Sequence, residues 1–85
     1  QVQANFHHRL GQLSYRKGDF RKAISYYQRS LELFNTLETD RLPVKYRRQE
    51  LCGNLALSYW RLKELEKSIA WYDSALVYVD RLPRT

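Results

Sequence analysis

Few groups in this chain combine a reactive type with a useful spacing. His7 and His8 are adjacent, Cys52 stands alone, and Glu64 and Glu66 lie among Lys63 and Lys67. A metal site needs ligands that converge. Adjacent helical positions point about 100° apart, and neither histidine has a Cys or carboxylate three or four residues on. The pair therefore reads as one surface and one core-edge histidine, with no metal. Cys52 has no partner for an internal disulfide and falls on an apolar helix face, so it reads as a small buried hydrophobe. Glu64 and Glu66 sit beside a turn at a helix start, where the helix dipole favours carboxylates without any acid–base role. There is no nucleophile–base pair, Gly-rich phosphate loop, HExxH or CxxC. The sequence thus predicts no catalytic residue, no cofactor and no enzyme, and what remains to be used is surface.

The elements that carry that surface are helical. In the stretch GDFRKAISYYQRSLEL, from Gly18 to Leu33, the residues Phe20, Ala23, Ile24, Tyr27 and Leu31, with Phe34 beyond, follow an α-helical period. Gly18 suits the left-handed residue that ends one helix, and Asp19 suits the N-cap of the next. The pattern returns 45 residues on, where Ile69, Tyr72 and Leu76 match Ile24, Tyr27 and Leu31, Leu55 matches Leu10, and Trp71 matches Tyr26. An internal repeat of this length points to a helical array.

HRLGQLSYRKGDFRKAISYYQRSLEL resembles one tetratricopeptide repeat (TPR), with Leu10-Gly11 in the first helix, Gly18 at the turn, and Phe20, Ala23, Tyr27 and Leu31 in the second. NLALSYWRLKELEKSIAWYDSAL is similar, through Leu55, Ala56, Tyr59, Leu65, Ser68, Tyr72, Ala75 and Leu76. Together they cover most of the chain. The resemblance implies an all-α fold, with two antiparallel helix-turn-helix repeats forming a short right-handed solenoid of four helices. Some positions depart from the family pattern: His7 and Cys52 replace its first-helix Trp, and Lys63 its turn Gly. The offset also exceeds the usual repeat of about 34 residues by roughly three helical turns. We read the excess as a longer hairpin arm on each side of Pro43. Longer repeats of this kind occur in scaffold and signalling members of the family.

In chain order, the spacing predicts helices over 2–17, 20–39, 44–62 and 65–80. Their inward residues are expected to be Phe6, Leu10 and Leu13; then the Phe20–Phe34 face continued by Leu37; then Leu51, Leu55, Tyr59 and Leu62; and last Leu65, Ile69, Tyr72, Leu76 and Val79. Pro43 cannot continue a helix but suits the first turn of one. Repeat one then spans about 2–39 and repeat two about 44–80, in a single domain. Asp80-Arg81-Leu82-Pro83 repeats Asp40-Arg41-Leu42-Pro43, so residues 81–85 read as a link to a following repeat. With no Met in its 85 residues, the chain reads as a piece of a longer or processed protein. Uncovered, the fourth helix is expected to carry Trp71 and Tyr78 on its outer face, as a repeat-stacking or dimer surface.

At 44% hydrophobic and 28% charged, the composition supports a small folded core. No apolar run approaches the roughly 20 residues of a membrane helix, so no membrane insertion is expected. The compartment is left open, the cytoplasm being favoured. A net charge of +6 favours acidic partners.

In TPR arrays the first helices of successive repeats line a concave groove that holds extended peptides. On matched positions, the resemblance implies a groove of Asn5, His8, Arg9, Gln12, Tyr15 and Arg16 from the first helix. The third helix would add Glu50, Asn54, Leu57, Trp60 and Arg61. Asn54 and Gln12 suit a peptide backbone, the three arginines suit carboxylates, and Tyr15 and Trp60 offer flat apolar area. The set partly resembles the carboxylate clamp of chaperone-binding members. Asn54 matches that clamp, but His8 and Gln12 stand where it has Lys and Asn, and the third repeat's basic residues have no counterpart. The leading expectation is a non-catalytic protein-interaction module for a peptide or protein, acidic by preference. Two alternatives stand beside it. One is nucleic-acid binding by Arg9, Arg16, Arg47, Arg48 and Arg61, disfavoured because the basic residues are interspersed with acidic ones. The other is a structural spacer or self-association unit.

Overall fold

A computed structural model describes residues 2–36 and 42–80. Four helices follow in order: α1 (Val2–Arg16), α2 (Phe20–Asn35), α3 (Leu42–Arg61) and α4 (Leu65–Asp80). They form two antiparallel hairpins, α1 with α2 and α3 with α4, and α2 packs on α3 to join them. The result is a small all-α solenoid of two helix-turn-helix repeats, with no strand among the described residues.

The two tight turns are copies of one another. Gly18 takes a left-handed φ of 83°, Gly18 N–H donates to Tyr15 O at 3.0 Å, and Asp19 N–H donates to Ser14 O at 2.9 Å. At the second turn Lys63 takes φ 62°, Lys63 N–H donates to Trp60 O and Glu64 N–H to Tyr59 O, both at 2.9 Å. These bonds close the orphan carbonyls at the end of each preceding helix. A left-handed lysine costs about 1 kcal/mol where glycine is nearly free. Asp19 caps α2 as its type predicts, its Oδ1 accepting from Lys22 N–H at 3.3 Å.

The repeat is long partly because α3 has 20 residues where α1 has 15. Val44 in this extension and Phe34 near the end of α2 are both buried in the same core. Arg48 Nη2 donates to Phe34 O at 2.9 Å, serving one carbonyl of the last turn of α2. The predicted continuation of α2 through Leu37 to residue 39 lies outside the described residues, as does residues 81–85.

Leu51, Leu55 and Tyr59 are buried as predicted, and Leu62 packs against the core. The inner faces of α1 and α4 are not the predicted ones. In α1 the buried residues are Ala4, His8, Gly11 and Ser14, whereas Phe6 and Leu13 are exposed and Leu10 is half-buried. Among the described side chains of α4 the buried residues are Ser68 and Ala75, with Trp71 packed against the core, while Leu65, Ile69, Tyr72 and Leu76 are exposed and Val79 lies outside those described. The reason is close approach. A Cβ on Gly11 would lie 2.6 Å from the Tyr27 ring, so only glycine fits there without displacing the ring. Buried serines reinforce it: Ser30 Oγ donates to Ala4 O at 2.6 Å and Ser68 Oγ to Ala56 O at 2.8 Å. Each ties a second helix to the backbone of its first. The bulky stripes of α1 and α4 face away from these close crossings.

Candidate functional site

His8 is the residue that joins the two first helices. Burial leaves it 3% exposed, and its ring meets that of Tyr27 edge-on at 5.9 Å. Its Nε2 faces α3, 3.2 Å from Asn54 Nδ2 and 3.5 Å from Glu50 Oε1. With Nε2 unprotonated, the Asn54 amide donates to it. Burial holds the imidazole below its ordinary value of 6.5; Glu50 opposes this and Arg47 adds to it. His7 turns elsewhere, its Nδ1 lying 2.8 Å from Gln3 O in its own helix. The two rings therefore do not converge, and no group of three or more potential metal ligands forms among the described residues.

Beside His8, the residues Asn5, His8, Arg9, Gln12 and Arg47 enclose a cavity of about 310 Å³. Four of the five belong to the groove set expected from sequence. Arg47 does not, having been read there only as part of a phosphate-tracking stripe. One helical turn separates Arg47 from Glu50, and Arg47 Nη1 donates to Glu50 Oε2 at 3.2 Å. An Arg–Glu pair three residues apart on a helix was the sequence signal that could have found it. Glu50 thus sits between Arg47 and His8. Arg9 and Arg47 remain exposed and bring two guanidinium groups to one concavity beside two side-chain amides.

The rest of the expected groove divides. Leu57 and Trp60 are exposed on α3, and Arg16 is exposed on α1. Tyr15 is drawn inward, packing on the core and meeting Phe20 edge-on at 5.1 Å. Arg61 lies over the other aromatic partner of that pair, 5.2 Å from the Phe20 ring centre. Tyr15 and Arg61 thus converge on Phe20, near the tight turns, rather than on the cavity. Cys52 is buried, and burial raises its thiol to about 11; Tyr27 is likewise raised to about 12.

The expected outer surface of α4 needs correction. Trp71 packs against the core and borders a second cavity, of about 370 Å³, with Gln28, Leu31, Glu32 and Asn35 of α2. It is half-buried and sits toward α2, beside the exposed stripe of α4. The side chain of Tyr78 lies outside the described residues.

Stacked helical hairpins with small residues at the crossings and a polar first-helix face define a helical-repeat module. Two family profiles described as Tetratricopeptide repeat match residues 4–37 and 49–76, and the chain belongs to the tetratricopeptide repeat family. Neither a curated protein nor a solved structure matches it. Repeats of this family generally mediate protein–protein interaction and are typically non-catalytic. No helix among the described residues is long and apolar enough to cross a membrane.

Proposed function

We propose that the chain binds an extended, carboxylate-bearing segment of a protein partner along the face shared by α1 and α3. The observation that carries this reading is the cavity of Asn5, His8, Arg9, Gln12 and Arg47. A carboxylate there meets two guanidinium groups, each able to donate in parallel pairs, while the amides of Asn5 and Gln12 serve the peptide backbone. Glu50 holds Arg47 by one nitrogen and keeps the pocket from being so cationic that any anion would do. Farther along α3, Leu57 and Trp60 offer the partner apolar area. A net charge of +6 steers an acidic segment toward the chain.

The nucleic-acid alternative draws less support. Arg48 donates to the end of α2, and Arg61 lies over Phe20. A continuous phosphate-tracking stripe would need them free together.

Fluorescence polarisation tests the proposal with short carboxylate-bearing peptides and matched peptides in which Asn and Gln replace Asp and Glu. The carboxylate set should bind tighter. Arg9→Gln and Arg47→Gln should each weaken that set by roughly three- to fivefold, as partly exposed charge pairs do. Equal binding of the two sets overturns the reading. So does an affinity for single-stranded oligonucleotides exceeding that for peptides, with the steep salt slope of counterion release.

A further inference from the structure

One carboxylate serves two groups at the cavity. Glu50 Oε2 accepts from Arg47 Nη1 at 3.2 Å, and its Oε1 stands 3.5 Å from His8 Nε2. Arg47 and His8 both line the cavity, so a change on one side of Glu50 is felt on the other. With Nε2 unprotonated, two acceptors face each other across the 3.5 Å gap, and Nε2 takes its hydrogen bond from the Asn54 amide at 3.2 Å. A single proton placed on Nε2 would turn that facing pair into a charged hydrogen bond.

The other groups around His8 do not supply such a charge pair. Arg9, next to it on α1, and Arg47 on α3 are cations at the same cavity. Tyr27 of α2, in ring contact, keeps its hydroxyl neutral, its pKa raised to about 12. Glu50 is the anion that faces the imidazole. Burial holds the proton off His8, Glu50 draws it on, and Arg47 opposes it.

A bound carboxylate alters this balance. Set against Arg47, it shares that guanidinium with Glu50 and brings a second negative charge to a concavity that His8 lines. Both effects favour the charged imidazole. We propose that a carboxylate entering the cavity binds together with a proton, which His8 takes up at Nε2 and shares with Glu50, so that the site strengthens on acidification. The inference rests on the reading of that cavity as a carboxylate site. The proton comes from solvent and bridges Nε2 to Glu50 Oε1. Asn54 follows by a half-turn of its amide, presenting oxygen where it presented nitrogen. The sign is diagnostic, because protonation of the peptide's own carboxylates would weaken binding in acid.

The test uses histidine-free carboxylate peptides and their amide-matched counterparts, with fluorescence polarisation at pH 7.5 and 6.0. A His8 returned to its ordinary pKa of 6.5 in the complex, and largely neutral in the free chain, makes the carboxylate peptides bind about three- to fourfold tighter at pH 6.0. Glu50→Gln, at a half-buried position, should remove that dependence while binding at pH 7.5 at least as tightly, since Arg47 is then undivided. His8→Gln should remove it too, and His7→Gln should leave it in place. Nuclear magnetic resonance of the imidazole should show His8 titrating at higher pH in the peptide-saturated chain than in the free one. Equal affinity at the two pH values, weaker binding at pH 6.0, a dependence that survives Glu50→Gln, or an unmoved His8 titration overturns the inference. If the carboxylate preference holds without any pH dependence, the cavity reading stands and the proton alone is refuted. Amide and carboxylate peptides that bind alike at both pH values refute the two together.

Discussion

Two glycine-to-alanine substitutions should change stability in opposite directions. Gly11 and Gly53 both lie inside helices, so alanine at either recovers about 0.8–1 kcal/mol of helix propensity. At Gly53 a Cβ meets nothing within 4 Å, and that gain should appear almost undiminished. At Gly11 the added Cβ would lie 2.6 Å from both Cδ1 and Cε1 of Tyr27, and 3.2 Å from its Cγ. Comfortable carbon contact is about 3.5–4.0 Å, so the ring must retreat by roughly 1 Å. It has little room, being 2% exposed and bounded on one side by the His8 ring. Overpacking of this kind costs about 1–3 kcal/mol. With a displacement this large we take the upper half and subtract the propensity gain, which leaves a net loss of about 1–2 kcal/mol. Urea unfolding followed by circular dichroism reads this directly. With a slope near 1 kcal/mol per M for so small a domain, Gly11→Ala should lower the midpoint by about 1–2 M and Gly53→Ala raise it by about 0.5–1 M. Equal stabilisation by both would refute the close approach of α1 and α2 around Tyr27.

Further outcomes follow from the buried titratable groups. His8 has a folded-state pKa held below its unfolded value of 6.5, so the unfolded chain binds more protons just below that pH. Stability should therefore fall as pH drops below about 6.5, by at most about 1.4 kcal/mol per pH unit from this group. His8→Gln should flatten that part of the unfolding profile, whatever it does to the midpoint; an unchanged slope would contradict the burial of a neutral imidazole. Cys52, raised by burial from 9.0 to about 11, should react with a thiol reagent about a hundredfold more slowly than in the unfolded chain, from its thiolate fraction alone. Labelling of the folded chain at the free-thiol rate would place Cys52 outside the core.

Much of the architecture was legible in the sequence because its punctuation is local. Gly18, Asp19 and the Lys63-Glu64 pair mark turns that bond alike, and the predicted bounds of α4 are those found. The inner faces of α1 and α4 were less legible for a physical reason. Each of these helices bears two adjacent stripes, one bulky and one small, and apolar periodicity favours the bulky one. Close helix crossings instead select the small stripe: Ala4, Gly11 and Ser14, or Ser68 and Ala75. The 45-residue offset contained the needed hint, since Ser68 and Ala75 match the small residues Ala23 and Ser30. In the candidate groove, matched positions located Asn5, Arg9 and Gln12 but could not show that Tyr15 turns toward Phe20. Arg47 was missed because it stands two residues before the stretch matched to the family, residues 49–76, so no matched position pointed to it.

The central claim is that the α1–α3 face receives a carboxylate-bearing segment. Its most direct test is a titration of the isotope-labelled chain with such a peptide, followed by nuclear magnetic resonance of the backbone, the side-chain amides and the arginine Nε–H groups. The account predicts the largest shifts at Asn5, Arg9, Gln12 and Arg47, with smaller ones at Leu57 and Trp60. Shifts confined to Ile69, Tyr72 and Leu76, or none at saturating peptide, would contradict it.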